Sequence, residues 1–271
     1  MLWAFLPWSI LLIFALVWFG RQKQFRTSGL EWYCMGSAIA TFLVFSFSRF
    51  QLPYYLNFVF PFFAIILARY LLDEFPKRES RSLAVVQYVI MILLLLVPCF
   101  LQFFYQPGSG GLLVLSLLVI LSVAAFFWLK KMPSTVRMVY QTSWVSFVLN
   151  VYLNIVFYPS LLSYQAGSEA AFWINRFARQ REVCTTLWPS PYIFYLHRPF
   201  CNTDTSLRNV KGANSILYIS DEQAKQLVMH GRKLRLLKTF DNFPVSKIDI
   251  KFLNSKTRPR TVEKMDIVQL L

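Results

Sequence analysis

Six long apolar blocks without a single formal charge occupy most of the first 164 residues of this 271-residue chain. They cover residues 2–19, 32–47, 52–68, 83–105, 112–129 and 139–162. A segment of this kind is stable where hydrocarbon surrounds it, and there every backbone N–H and C=O has to be satisfied internally, which selects helices. Composition agrees, with 56% apolar residues and only 15% charged ones. Beyond residue 164 the blocks stop and mixed charge begins. The expected fold class is therefore mainly α: a polytopic membrane part with about six spans at residues 1–164, followed by a small extramembrane α/β domain at residues 165–271, long enough for its own core.

The connectors assign sides. Arg21, Lys23 and Arg26 follow the first block, Arg49 stands alone after the second, and Arg69, Lys77, Arg78 and Arg81 follow the third. Residues 106–111 carry no charge, and Lys130, Lys131 and Arg137 follow the fifth block. Positive and non-positive loops alternate, so residues 20–31, 69–82 and 130–138 are expected in the cytoplasm. Met1, the Arg49 loop, residues 106–111 and the C-terminal domain are then expected outside. In a bacterium this means an inner-membrane protein with a periplasmic domain. Residues 1–158 carry a net +7 and the remainder +8. Such a balance suits anionic lipid heads or polyprenyl phosphates, and a chain mostly buried in a bilayer is a poor nucleic-acid partner.

Residues 48–61, Ser-Arg-Phe-Gln-Leu-Pro-Tyr-Tyr-Leu-Asn-Phe-Val-Phe-Pro, concentrate polar chemistry between two apolar blocks. Arg49 offers a planar cationic fork that matches phosphate, and Tyr54 and Tyr55 offer amphipathic rings with hydroxyl donors. Ser48 and Gln51 add further polar groups. Arg and Tyr also serve as ordinary anchors at a membrane interface, and Pro61 is placed to kink the following helix.

This stretch resembles the Ser-Lys-x-x-Leu-Pro-x-Tyr-x-x-x-x-x-Pro segment of polyprenyl-phosphate-dependent membrane glycosyltransferases of the GT-C type. That family includes the lipid A aminoarabinose transferases and the protein O-mannosyltransferases. Ser48, Leu52, Pro53, Tyr55 and Pro61 match it, whereas Arg49 replaces a Lys, Gln51 a second basic residue, Tyr54 a His and Phe58 a further Pro. The segment 251–259, Lys-Phe-Leu-Asn-Ser-Lys-Thr-Arg-Pro, resembles the tail of bacterial members. The resemblance implies transfer from a polyprenyl-phosphate-linked sugar donor on the outer membrane face, with Arg49 holding the donor phosphate and Tyr55 hydrogen-bonding it. It implies no cofactor. It also identifies the chain with the C-terminal half of such an enzyme, whose N-terminal half carries an acidic catalytic loop. Glu31, Asp73, Glu74 and Glu79, the carboxylates of the membrane part, all fall in loops expected in the cytoplasm. A catalytic residue is therefore not assigned.

In the C-terminal domain, apolar spacing predicts a helix over 167–180, strands at 183–187, 215–219, 234–240 and 267–270, and a helix over 221–230 capped by Ser220 or Asp221. Cys184 and Cys201 stand 17 residues apart, where a disulfide is chemically allowed, whereas Cys34 and Cys99 fall in spans as small hydrophobes. His197 and His230 lack ligand-spaced neighbours, so no metal site is expected. Residues 107–111 read as a tight turn, and Asn150 and Asn154 as a helix-to-helix hydrogen-bonding face. Besides the transferase, the chain is compatible with a non-catalytic accessory or lipid-binding protein that uses its external domain to recruit a partner. A transporter needs charged or broken helices at the midplane, and the charge-free spans argue against one.

Overall fold

The computed structural model describes residues 5–21, 30–47, 57–73, 81–178, 181–186, 190–203 and 215–271. The chain is mainly helical, with one small sheet. It divides into two compact units, residues 1–98 with 115–151 and residues 99–114 with 152–271.

The first unit contains helices α1 (Ser9–Arg21), α2 (Leu30–Phe47) and α3 (Phe60–Asp73). It also holds most of α4 (Arg81–Phe100), α5 (Ser109–Leu129) and α6 (Ser134–Tyr152). A π-helical turn, Leu101–Tyr105, extends α4, and a second, Leu153–Phe157, carries α6 on to Leu162. Three helical segments are long and apolar enough to cross a membrane: Arg81–Tyr105, Gly110–Leu129 and Ser134–Leu162. Their outer faces carry bare apolar side chains such as Leu113, Ile120 and Trp128, as lipid-facing helices do. The expected count of about six is thus three among the described residues. The first three apolar blocks form shorter helices, because residues 5–8 precede α1 as a turn and α3 begins only at Phe60. Pro61 does not kink that helix. It stands in the first turn of α3, where its missing N–H has no partner to lose.

Helix α3 packs against both α1 and α2. Leu11, Ala15, Trp18 and Phe19 of α1 meet Ile66, Leu67, Tyr70 and Leu71 of α3 in one buried cluster. Polar groups are used sparingly. Gln87 donates to the Pro7 carbonyl and to Thr142 Oγ1, each at 3.3 Å, and Trp144 Nε1 donates to Ser122 Oγ at 3.1 Å. Asn150 donates back to the Ser146 carbonyl of its own helix at 2.9 Å.

The second unit is a three-layer α/β domain fused to the ends of α4, α5 and α6. Helix α7 (Ala166–Phe177) leads to β1 (Val183–Thr185), α8 (Ser190–Tyr195), β2 (Cys201–Asn202) and β3 (Ile216–Ser220). Then come α9 (Asp221–Met229), β4 (Leu234–Asn242), the short α10 (Ile250–Leu253) and β5 (Glu263–Leu270). The strand order is β2-β1-β3-β5-β4. Strands β2, β1 and β3 run parallel, and β5 runs antiparallel to both β3 and β4. Side-chain alternation along β3 builds both layers. Ile216 and Tyr218 enter the core beneath α7 and α8, and Leu217 and Ile219 enter the one beneath α9. Cys184 and Cys201, partners in the β1–β2 register, are joined as a disulfide.

Within this unit, Arg258 ties the domain to the end of the segment that extends α4. Nearly buried, it donates from Nε to the Phe252 carbonyl at 3.0 Å, from Nη1 to the Tyr164 hydroxyl at 3.2 Å, and from Nη2 to the Tyr105 carbonyl. Its guanidinium carbon lies 4.0 Å from the Tyr105 ring centre and 5.5 Å from those of Tyr164 and Phe252. The charge thus rests on aromatic faces and on the unsatisfied carbonyl at a helix C-terminus. Nearby, Ser255 N donates to the Phe104 carbonyl at 3.1 Å, and Tyr152 donates to Gln102 Oε1 at 2.9 Å. Gly111 permits that approach, since a Cβ there would lie 2.3 Å from the same Gln102 oxygen.

Replacing Arg258 by Ala strands several buried acceptors, and each is expected to cost about 1–3 kcal/mol. Arg258→Lys recovers only part, because one ammonium cannot span the fork. Thermal unfolding of the purified chain in detergent checks both. Cys184→Ser is expected to cost about 3 kcal/mol through loss of a closed loop. The readout is denaturant unfolding, in which wild type shifts on reduction and the variant does not.

Candidate functional site

Ser48, Arg49, Gln51, Tyr54 and Tyr55 lie outside the described residues. Flanking them, α2 ends at Phe47 and the described chain resumes at Asn57, leading into α3. Phe45 and Phe58 stack across that gap with ring centres 6.0 Å apart. The helices on either side of the stretch are therefore brought together.

The described residues hold a second candidate site within the α/β domain. A cleft of about 560 Å³ opens where β3 and β4 end and β5 begins. Because β4 runs parallel to β3, this is the carboxyl edge of both strands, the edge at which open α/β sheets bind ligands. Tyr218 and Ser220 come from β3, Asn242 from β4, Glu263 and Met265 from β5. The start of α7 contributes Gln165 and Gly167, and the 243–246 turn and Pro191 close the rim.

Each polar group has a local reason to be there. Ser220 caps α9: its hydroxyl accepts from Gln223 N at 3.2 Å, and Gln223 Oε1 accepts from Ser220 N at 3.2 Å. Glu263 opens β5 opposite Asn242, whose Nδ2 donates to the carboxylate at 3.5 Å. Behind the rim, Tyr218 stacks on Tyr192 with ring centres 4.7 Å apart. The Tyr192 hydroxyl is fully buried and finds no partner among the described residues. Burial pushes both phenols well above the ordinary tyrosine pKa.

The chemistry of the lining is selective. In a chain of net charge +15, none of the described residues around the cleft is Lys or Arg. Amides, hydroxyls and one carboxylate beside the apolar Met265, Pro191 and Pro244 suit a neutral, hydroxyl-rich ligand and disfavour phosphate. Sequence reasoning did not assemble this site, because its residues come from the ends of three strands and a helix. The Ser220 cap was the one legible sign of it.

Elsewhere, Glu182 lies near the sulfurs of Cys184 and Cys201, but a disulfide offers no thiolate to a metal. The Glu182 carboxylate instead accepts from Ser215 Oγ at 3.0 Å. His230 Nδ1 lies 2.7 Å from the Gln226 carbonyl, a local helix-end contact, and His197 N donates to Asn175 Oδ1 at 3.2 Å. Cys34 and Cys99 are free thiols.

Comparison of the chain with protein-family models, with curated proteins and with solved structures gives no match.

The buried tyrosine pair predicts a pH dependence. Both phenols ionise near pH 10 in the unfolded chain and resist ionisation in the folded one. Above that pH the unfolded state binds fewer protons, so stability is expected to fall as pH rises, by about 1.4 kcal/mol per pH unit for each tyrosine. Below pH 10 the pair contributes no slope. Urea unfolding across pH 8 to 11 reads this out, and the double Phe variant of Tyr192 and Tyr218 is expected to flatten the alkaline limb.

Proposed function

We propose that the chain acts in a membrane glycosyltransferase, transferring a sugar from a polyprenyl-phosphate donor to a lipid, glycan or protein acceptor on the outer face of the membrane. The observation that carries this reading is the placement of the α/β domain, with its open cleft, against the end of a membrane-length helix. Residues 106–108, which follow that helix, belong to the same compact unit as the domain, and in this reading both lie on one side of the membrane. Those residues are part of the uncharged connector that the charge pattern assigns to the outside. A disulfide between β1 and β2 also suits an oxidising compartment such as a bacterial periplasm. In this reading α1, α2 and α3 are short spans, which makes six in all, in a bacterial inner membrane.

Arg49 and Tyr55, with Tyr54, Ser48 and Gln51 beside them, bind the donor phosphate. Transfer breaks the bond between the sugar's anomeric carbon and the phosphate oxygen, and forms one to the acceptor oxygen. The negative charge left on the polyprenyl phosphate is stabilised by the Arg49 fork through charge-assisted hydrogen bonds. The cleft, with neither Lys nor Arg among its described lining residues, suits a hydroxyl-rich ligand such as part of an acceptor, and Glu263, the one carboxylate among those residues, is a group there able to take a proton.

A second reading, a non-catalytic accessory protein whose external domain recruits a partner, is favoured by that same scarcity of carboxylates. Donor binding separates the two. Undecaprenyl phosphate is titrated against the purified chain in detergent. Wild type is expected to saturate, Arg49→Ala to bind about tenfold or more weakly, and Tyr55→Phe a few-fold more weakly. Absence of binding by wild type would turn the assignment to the accessory reading.

A further inference from the structure

The strongest feature left unused by this reading is the segment 247–260. It is held against the end of α4 by the bonds from Ser255 N to the Phe104 carbonyl and from Arg258 to the Tyr105 carbonyl. With a bilayer around α4, these residues therefore stand at its surface. Lys247, Lys251, Lys256 and Arg260 are all exposed, and none makes an ion pair among the described residues. The segment has a single acid, Asp249, whose carboxylate is engaged by Phe252 N at 2.7 Å as a helix cap. Ile248 and Ile250 are also bare, at 41% and 76% exposure, in a turn whose Phe252 is fully buried.

Four unpaired cations interleaved with two exposed isoleucines are poorly suited to water alone. They match an interface where the apolar side chains reach the acyl boundary and the ammonium and guanidinium groups meet phosphates. We infer that residues 247–260 form a docking surface for the anionic headgroups of the bilayer that α4 enters, with Ile250 dipping below them. The surface holds the α/β domain down on the membrane. It needs only that α4 crosses the bilayer, and is independent of the transferase reading.

The buried half of the segment explains why the exposed half can do this. Arg258, Phe252 and the Asp249 cap fix the backbone. Thr257 Oγ1 adds a bond to the Lys251 carbonyl at 2.5 Å. The cations are thereby presented from a rigid turn, so little ordering is lost on binding.

The test uses the full chain in neutral detergent, with retained lipid measured by native mass spectrometry after titration with phosphatidylglycerol or phosphatidylcholine. Wild type is expected to retain phosphatidylglycerol in preference. The combined K247A, K251A, K256A and R260A variant is expected to lose that preference, at about fivefold per cation removed. The matched variant with Arg at the three Lys positions is expected to keep it. All four positions are exposed, so unchanged thermal unfolding verifies the fold of each variant. Arg49→Ala, which tests the donor site, is expected to leave phosphatidylglycerol retention untouched. The inference is overturned if the neutralised variant retains phosphatidylglycerol as wild type does, or if Arg49→Ala abolishes retention while the neutralised variant keeps it.

Discussion

A single guanidinium, that of Arg258, links the two chemistries on which this chain is built. Membrane-length helices leave unsatisfied carbonyls where they end, and the α/β domain packed at that end needs a fixed attachment to it. Arg258 meets both needs. It takes the Tyr105 carbonyl at the end of α4 and the Phe252 carbonyl of the domain, and packs against the rings of Tyr105, Tyr164 and Phe252. A buried cation is costly when unpaired, and here aromatic faces and carbonyl dipoles replace the usual carboxylate. Without a counter-ion among the described residues, the arrangement depends on all of its acceptors being in place together. This is why Gly111, Gln102 and Tyr152, which bring the ends of α4, α5 and α6 together, belong to the same structural argument.

The stacked rings around the clamp extend its influence to the cleft. Phe252 stacks on Phe243 with centres 3.8 Å apart, Phe243 N donates to the Tyr164 carbonyl at 2.9 Å, and Phe243 heads the turn that rims the cleft. The chain from helix end to guanidinium to aromatic pair to cleft rim is continuous and buried.

Much of this was legible in the sequence, and the gaps have physical reasons. Charge-free blocks rich in apolar residues marked α4, α5 and most of α6, because a membrane-length helix needs little beyond apolar side chains and its own backbone bonds. The same signal overstated α3, whose block starts at residue 52 while its helix starts at Phe60, one residue before Pro61. In the α/β domain, α7 and α9 were visible from spacing and from the Ser220 cap. Strand β5 was expected only from Ile267, since Glu263, Lys264 and Asp266 read as polar. Asp266 is in fact buried, and the Thr239 hydroxyl donates to it from β4 at 2.6 Å, a cross-strand partner that no local pattern displays. Strand β2 has two residues and exists because Cys201 lies opposite Cys184. Arg258 stood in a segment singled out by resemblance alone, and its role depends on a carbonyl 153 positions away in sequence.

The distribution of charge is the last constraint, and it separates the candidate sites. A strongly basic chain attracts anionic partners everywhere its cations are free, so a cleft for a neutral ligand has to exclude them. Among its described lining residues this cleft does so, with Asn242, Ser220, Ser246 and Glu263 where a phosphate site would carry Arg or Lys. Four of the domain's exposed cations, Lys247, Lys251, Lys256 and Arg260, stand on the 247–260 segment, whose Lys247 follows the cleft turn by one residue. In the proposed reading, attraction to an anionic surface and recognition of an uncharged ligand occupy adjoining stretches of one chain without competing. Arg49 stands alone in its connector, with neither an acidic neighbour in sequence nor a basic companion. In the proposed transferase, a lone fork between two apolar blocks binds one phosphate, whereas the several cations of the 247–260 segment meet a lipid surface.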